Sequence, residues 1–285
     1  MPIDLNLALS NAPRQAKLAW GVDDVLLYQL AVGAGADPMD ASELRYVTEP
    51  DPAVLPSFAV VAPSLHVTAP PVITWPGLDI DLRKILHGSQ RVEVHRPIPA
   101  VAEAVATDRV AAVHDKGSAA VLVLETAVAG ADGEPLWTAT SRIFARGEGG
   151  FGGERGESVS VKAPEREPDA AFDTPTLPQQ ALLYRLLGDR NPLHNDPEAA
   201  KASGFPRPIL HGLCTYSMVL KGAVTSLLDN DPAKVRAYDA VFTGVLFPGE
   251  TFRTTAWRED DRIILTSTVP SRDNAPVLGA VLTTW

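Results

Sequence analysis

The sequence predicts an α+β protein made of two similar halves, each with antiparallel strands packed on a helix. Three observations support this prediction. The chain has 285 residues, which suits two domains of about 140 residues better than one. Runs of alternating apolar and polar residues recur in both halves. A segment rich in Gly, Pro and charge, within 147–178, separates the halves. We therefore expect domains at 1–150 and 176–285, joined by a linker at 151–175.

The strand-like runs follow a similar order in the two halves. Each half carries an Ile-Leu-His-Gly sequence, at 85–88 and 209–212, and Asp132-Gly133 marks a hairpin turn in the first half. We interpret the chain as a duplicated domain whose copies have diverged. The predicted strand runs are 91–100, 120–130, 136–145, 238–257, 262–269 and 276–285.

Helices are fewer than strands. Residues 212–228 carry apolar side chains every three or four positions, which predicts a helix lying on a sheet. A helix is also predicted at 179–188. Asp196, followed by Pro197 and later by Gly204, predicts a short capped helix between them.

Composition narrows the class of protein. Apolar residues make up 45% of the chain and charged residues 21%, as in a soluble globular protein. The net charge is 25 − 35 = −10, without a basic stripe, so we expect no nucleic-acid partner. A single cysteine, Cys214, rules out an internal disulfide and favours a reducing compartment. No secretion signal or run of 18 apolar residues is found, so we expect a cytoplasmic protein without a membrane span.

The densest group of ionisable and turn-forming residues lies at 184–216. Asp189 and His194 are five positions apart, with Asn191 and the stiffening Pro192 between them. A rigid turn can aim a carboxylate and an imidazole at one water, as acid–base catalysis requires. Residue types alone leave a structural role open, because Asp and Asn after a helix are commonly caps.

Several other site classes lack their motifs. The chain has no G-x-S-x-G, H-E-x-x-H or G-x-x-x-x-G-K-[ST] sequence. Gly147, Gly149 and Gly152 match G-x-G-x-x-G, but a polar linker follows them where a dinucleotide site needs a helix. Cys214 fits the helix pattern as a core residue. We predict no metal site and no cofactor.

The motif GDRNPLH at 188–194, followed by GFPRPILHGLCTY at 204–216, resembles the hydratase 2 motif of MaoC-like (R)-specific enoyl-CoA hydratases. YQLAVGAG at 28–35, LHGSQ at 86–90 and DKG at 115–117 resemble the first half of the two-domain hydratases, including the hydratase part of peroxisomal multifunctional enzyme type 2. The resemblance covers nearly the whole chain. It implies a double hotdog fold, in which two antiparallel sheets each wrap a central helix.

The resemblance also implies roles for individual residues. Asp189 and His194 match the catalytic pair, Asn191 the residue that helps to hold them, and Gly212 the glycine whose N–H stabilises the thioester oxygen. The implied reaction is syn addition of water to a trans-2-enoyl-CoA. The assignment of acid and base within the pair stays open, because coupled groups share their protons.

A second set of residues matches positions that contact the CoA ester. Without the resemblance, ordinary structural roles would explain them: a turn, a solvated charge or a strand core. The first half lacks a D-x-N-P-x-H stretch, so one active site per chain is expected. The predicted substrate-binding residues are His87, Gly88, Lys116, Arg190 and Phe242.

Substrate and assembly are further expectations from the resemblance. The similar actinobacterial hydratases of the type 4 17β-hydroxysteroid dehydrogenase kind imply a bulky steroid side-chain enoyl-CoA. The apolar, Pro-rich stretch with Pro70, Pro71, Ile73 and Trp75 is a candidate lining for the acyl tunnel, and an ordinary packed loop is the favoured alternative. The alternatives are a straight-chain fatty enoyl-CoA, dehydration of (3R)-hydroxyacyl-thioesters, and a non-catalytic acyl-CoA-binding subunit. A homodimer is expected, with the CoA thioester as substrate.

Overall fold

The structure, a computed structural model, describes residues 3–71, 75–80 and 84–285. These residues form six α-helices and ten β-strands, together with short 3₁₀ turns. The helices are Leu5–Ser10 (α1), Val22–Ala31 (α2), Ala41–Leu44 (α3), Gln180–Tyr184 (α4), Pro197–Ala202 (α5) and Gly212–Leu227 (α6). The strands are Arg14–Trp20 (β1), Ile85–Val94 (β2), Ala102–Asp115 (β3), Ala119–Gly130 (β4), Pro135–Arg146 (β5), Ala170–Pro175 (β6), Val235–Phe242 (β7), Thr251–Glu259 (β8), Arg262–Val269 (β9) and Ala275–Thr284 (β10).

The ten strands form one antiparallel sheet in the order β1-β3-β4-β5-β2-β7-β10-β9-β8-β6. Read from its outer edge inward, the first half is β1-β3-β4-β5-β2 and the second is β6-β8-β9-β10-β7. The two orders are identical, so each half is the same fold. The inner strands join them: Ser89–Glu93 of β2 pair with Ala237–Val241 of β7 in antiparallel register.

Two details depart from the predicted fold. Two sheets are predicted, but the structure has one continuous sheet. The halves join because the inner-edge strands β2 and β7 satisfy each other's backbone hydrogen bonds. Within the described residues, a long central helix occurs in the second half and not in the first. There α6 has 16 residues, whereas α2 in the first half has 10 and is followed by 3₁₀ turns at Pro56–Val60 and Ala62–Ser64.

One apolar core serves both halves. Buried side chains of α6, including Tyr216 and Leu220, pack in the same cluster as Tyr28, Phe58 and Trp137 from the first half. Because burial of apolar surface is the main stabilising contribution, the halves stabilise each other. A smaller cluster, formed by α1, 75–80 and neighbouring strands, lies entirely in the first half.

The linker is shorter than predicted. Ala170–Pro175 forms the edge strand β6, which pairs with Thr251–Ala256 of β8. Its sequence, AAFDTP, has a single large apolar side chain, so it gives no clear alternation. The rest of the linker connects distant strands: the N–H of Asp115 donates to Glu154, and Trp257 Nε1 donates to the carbonyl of Arg166.

Other predicted helices and strands agree with the structure, although some observed strands were not predicted. The Asp196 carboxylate caps α5 by accepting the N–H groups of Glu198 and Ala199. The predicted run 238–257 is two strands separated by the loop at 243–250. Strands β1 and β3 were not predicted.

The proposed tunnel residues do not gather in one place. Trp75 packs against the smaller cluster beneath the Arg14 guanidinium, at 4.1 Å, and Pro70 and Pro71 are exposed. Ile73 lies outside the described residues. Among the helices of the described residues, none has the length and hydropathy needed to cross a membrane.

A buried ion pair connects the two halves. Lys221 of α6 donates to the Glu43 carboxylate of α3, which also accepts the N–H of Gly35 at 3.0 Å. The side chains of Glu43 and Lys221 are only 8% and 14% exposed. Neither charged group has ready access to water, so each is stabilised in its charged form mainly by the other.

Replacing Glu43 alone should therefore be costly. We expect Glu43→Ala to lower the free energy of unfolding by about 3–5 kcal/mol, because it leaves a buried ammonium unpaired. The double variant Glu43→Ala/Lys221→Met should lose clearly less. Urea denaturation measures both, and equal losses would contradict the idea that the unpaired charge is the cause.

Candidate functional site

The loop at 188–194 is shaped by its own sequence. The helical segment before it ends at Gly188, whose φ of +111° is favourable only for glycine. The Asn191 carboxamide oxygen accepts the N–H of Leu193 at 3.1 Å and caps a 3₁₀ turn at Pro192–His194. The turn carries His194 inward, where it is 8% exposed.

The first half fixes the start of this loop. A Cβ on Gly188 would lie 1.8 Å from the backbone oxygen of Ser64, so the two backbones are in direct contact. The Ser64 hydroxyl donates to the carbonyl of Leu187, and Arg190 Nε donates to the carbonyl of Val67 at 3.3 Å. The segment with Ser64 and Val67, which has no catalytic motif, thus positions the loop at 188–194, which carries the motif.

His194 is held as a neutral base. Its Nδ1 lies 2.9 Å from the carbonyl oxygen of Ile209, which can only accept, so Nδ1 carries the proton and Nε2 has a free lone pair. Burial lowers the pKa of His194, while Asp189 and the Ile209 hydrogen bond act in the opposite direction. The imidazole is therefore suited to accept a proton at neutral pH.

His211 is a site residue that the sequence reasoning missed. Its ring stacks on His194, with centroids 3.7 Å apart, and its Nε2 donates to the backbone carbonyl of Asp189 at 3.2 Å. Burial, followed by the neighbouring His194, lowers its pKa well below the ordinary value. The signal that could have found it is its place directly before Gly212 in the His-Gly sequence.

Asp189 and the two imidazoles form one cluster. A carboxylate oxygen of Asp189 and a ring nitrogen of each of His194 and His211 lie within 4.8 Å of one another. The Asp189 carboxylate also accepts the N–H of Asn191 at 3.2 Å. Polar atoms less than 4.8 Å apart can be bridged by one water molecule.

The cluster does not suit a metal ion. The His194 and His211 rings are stacked with an interplanar angle of 26°, so their in-plane lone pairs lie in two nearly parallel planes and are not directed at one common ion. Nδ1 of His194 and Nε2 of His211 already bond to carbonyl oxygens. This geometry favours proton transfer over coordination.

Gly212 is the first residue of α6. In the described part of the chain no acceptor bonds to its N–H, which lies at the positive end of the helix dipole. A Cβ here would lie 3.3 Å from the Phe242 ring, so glycine keeps the approach open. Such an N–H can stabilise a developing negative charge on a carbonyl oxygen.

The β2–β7 pairing brings predicted ester-contact residues to the same end of the sheet. The rings of His87 and Phe242 make an edge contact, with centroids 5.1 Å apart, and Phe242 touches Gly212. Burial lowers the pKa of His87 to about 4. Gly88 lies where the β2–β5 register shifts, and a Cβ there would be 3.1 Å from the Arg142 oxygen.

Lys116 is not part of this cluster. It follows β3, and its ammonium donates to the carbonyls of Gly156 and Glu157, at 3.1 Å each. The structure therefore gathers His87, Gly88 and Phe242 near Gly212, places Arg190 beside Asp189 with its Nε bonded to Val67, and leaves Lys116 bonded to the linker.

Known proteins share this arrangement of halves. Residues 159–274 match the MaoC like domain and residues 19–147 the MFE-2 hydratase 2 N-terminal domain. The chain is 53% identical to the enoyl-CoA hydratase ChsH3 of Mycobacterium tuberculosis over 99% of this chain and 98% of that one.

Solved structures give the same result. A MaoC-like dehydratase from Phytophthora capsici superposes with a TM-score of 0.90, at 28% identity, over 99% of this chain and 98% of that one. A Mycobacterium tuberculosis protein described as a double hotdog fold matches with a TM-score of 0.60, at 14% identity, over 96% of each chain. The second likeness concerns the fold alone, which is a double hotdog.

The contact between Gly188 and Ser64 gives a direct stability test. We expect Gly188→Ala to cost about 3 kcal/mol of unfolding free energy, because both the positive φ and the overlap with Ser64 oppose a methyl group. Gly204→Ala is the matched control: its φ is +86°, but no atom lies within 4 Å of the new Cβ. It should cost about 1–2 kcal/mol. Equal costs in chemical denaturation would argue against the backbone contact.

Proposed function

The chain belongs to the MaoC-like hydratase 2 family, and on this premise we propose that it hydrates trans-2-enoyl-CoA to (3R)-3-hydroxyacyl-CoA. One observation carries the proposal: a neutral histidine with a free Nε2 lies beside a carboxylate, at the site that family membership assigns to catalysis. The (R) configuration of the product is inferred from membership of the family.

The base in the proposed mechanism is His194. Its Nδ1–H is held by Ile209, so Nε2 can take a proton from the attacking water. The water oxygen then forms a bond to C3, and the electron pair of the C2–C3 double bond moves toward the thioester oxygen. General-base help of this kind contributes about 10²- to 10⁴-fold.

Gly212 stabilises the charge that this attack creates. The enolate-like oxygen accepts its N–H, in addition to the favourable field of the α6 N-terminus. The donor is already in position before the reaction, so little reorganisation is required.

Asp189 completes the addition. The proton that His194 took from the water passes to the Asp189 carboxylate, which delivers it to C2 and collapses the enolate. One water is consumed, with one hydrogen ending on C2 and the hydroxyl group on C3. Because the two groups lie within 4.8 Å, their protonation states belong to the pair.

The CoA ester enters past the β2–β7 end of the sheet in this proposal. His87, Gly88 and Phe242 line the approach to Gly212, and Arg190 lies beside Asp189. Lys116 would release the linker carbonyls and pair with a CoA phosphate, as the family likeness implies. The chain carries a net charge of −10, so its overall charge repels the anionic CoA, and local cations and N–H groups are needed to bind it.

We further propose a bulky steroid side-chain enoyl-CoA as substrate, within lipid catabolism. The support is the resemblance of the chain to the actinobacterial hydratases of the type 4 17β-hydroxysteroid dehydrogenase kind. Straight-chain substrates are the alternative, as is dehydration of (3R)-hydroxyacyl-thioesters, which the same groups catalyse in reverse. An acyl-CoA-binding subunit without catalysis is disfavoured by the intact Asp189–His194 pair.

A homodimer in the cytoplasm is also proposed. The single thiol, Cys214, is buried and suits a reducing compartment. Light scattering after size exclusion measures the assembly: a mass near 61 kDa, twice 30.4 kDa, supports the dimer, and a mass of 30.4 kDa overturns it.

Loss of the conjugated thioester absorbance tests the activity. We expect the wild type to hydrate enoyl-CoA, and Asp189→Asn and His194→Ala each to lower kcat by about 10³-fold with folding intact. The exposed Asp196→Asn, which changes a cap outside the pair, is the control and should keep kcat. An inactive wild type would overturn the hydratase proposal. A fully active Asp189→Asn would remove Asp189 from catalysis.

A panel of enoyl-CoAs tests the acyl preference. Crotonyl-CoA, a medium-chain enoyl-CoA and a steroid side-chain enoyl-CoA are compared by kcat/KM. We expect the steroid thioester to exceed the others by about tenfold or more, since larger apolar groups add binding energy. A preference for the medium chain would contradict the steroid assignment and leave hydration in place. An (S) product would contradict the stereochemistry.

A further inference from the structure

The carbonyl that orients His194 belongs to a peptide group bonded at both ends. Its oxygen, on Ile209, accepts Nδ1–H of His194 at 2.9 Å. Its N–H, on Leu210, donates to the carbonyl of Leu246 at 2.7 Å. Hydrogen bonds in series polarise one another, so the second bond makes the Ile209 oxygen a better acceptor.

Leu246 lies in the loop at 243–250, between β7 and β8, and one arginine holds that loop. Arg272 Nε donates to Glu250 Oε1 at 2.8 Å, and its Nη2 donates to Oε2 at 3.1 Å. The same Nη2 donates to the carbonyl of Val245 at 2.7 Å. Paired bonds of this kind fix both the position and the plane of the guanidinium.

Glu250 secures the other neighbour of Leu246. Its Oε2 accepts the N–H of Phe247 at 2.9 Å, and its side chain is only 11% exposed. The Phe247 ring also lies between two guanidinium groups, with Arg207 at 4.8 Å and Arg272 at 5.4 Å from its centroid. The residues before and after Leu246 are thus both bound by the Arg272–Glu250 pair.

We propose that Arg272 and Glu250 are positioning residues for His194, acting through Leu246 and the Ile209–Leu210 peptide. In many hydrolases a buried carboxylate orients the catalytic histidine. Here a polarised peptide takes that place, and the ion pair holds the loop that polarises it. This inference rests on the proposed hydratase function.

The pH dependence of activity should report this coupling. The groups facing His194 are Asp189, the stacked His211 and the Ile209 carbonyl, with Arg185 acting on His211. The Ile209 bond favours protonated His194, so weakening it lowers the pKa of His194. A base with a lower pKa stays deprotonated further into acid, so the acidic limb of kcat/KM should move to lower pH.

The test compares two arginines that each bind a carboxylate. Arg272→Ala should lower kcat by about ten- to a hundredfold, the size expected for a displaced catalytic group, with KM within about twofold. Arg272→Lys, which keeps a cation for Glu250, should recover part of the loss. Arg253→Ala breaks an equally short bidentate pair with Asp173, on β8 and β6, and should leave kcat unchanged.

The outcomes separate the two proposals. If the wild type hydrates enoyl-CoA but Arg272→Ala matches Arg253→Ala in kcat and in its acidic limb, the positioning role is overturned. A fall in thermal stability without these changes also overturns it. If Arg272→Ala does not fold, Glu250→Gln, which keeps size and packing, is judged by the same criteria. A wild type without activity would contradict the function itself.

A measurement independent of turnover is available. Nitrogen-15 NMR of the histidine rings reports which nitrogen of His194 carries the proton, with His194→Gln giving the assignment. We expect an Nδ1–H signal in the wild type and a shifted or exchange-broadened one in Arg272→Ala. Identical signals in the two proteins would overturn the coupling even if activity were absent.

Discussion

The pairing of β2 with β7 is the constraint on which the rest of the structure depends. Each half would otherwise expose an inner strand edge with unsatisfied backbone groups. Five residue pairs close that edge and make one sheet from two. The same pairing sets His87 against Phe242, at the end of the sheet where α6 begins. The candidate site is thus a consequence of how the halves join, and neither half could form it alone.

Sequence patterns predicted the strongly periodic parts of the fold. The helix α6 and the later strands of each half could be predicted because their burial follows a regular spacing. The cap of α5 could be predicted from its residue types, Asp196 followed by Pro197. Strand β3 is rich in alanine and β1 is mostly exposed, so neither gave a clear alternation. The motif at 188–194 predicted Asp189 and His194 as catalytic residues only through resemblance, since residue types alone left a structural role open.

The other contacts of the site could not be predicted from the sequence, for a physical reason. His194 is oriented by a backbone carbonyl, and the loop at 188–194 is positioned by the backbone of Ser64. Any residue supplies a carbonyl, so such contacts leave little trace in a sequence. Burial also keeps His87, His194 and His211 neutral, because it disfavours their charged forms.

The contact between Gly188 and Ser64 has a meaning for how duplicated domains diverge. The first copy has no catalytic motif, yet its chain path is fixed to within a van der Waals contact of the second copy's loop. The contact itself is made by backbone atoms of Ser64, which any residue at position 64 would supply, and the Ser64 hydroxyl adds a hydrogen bond to the carbonyl of Leu187. A copy without the catalytic motif can therefore differ widely in its side chains from the other copy and still hold the loop of that copy in place.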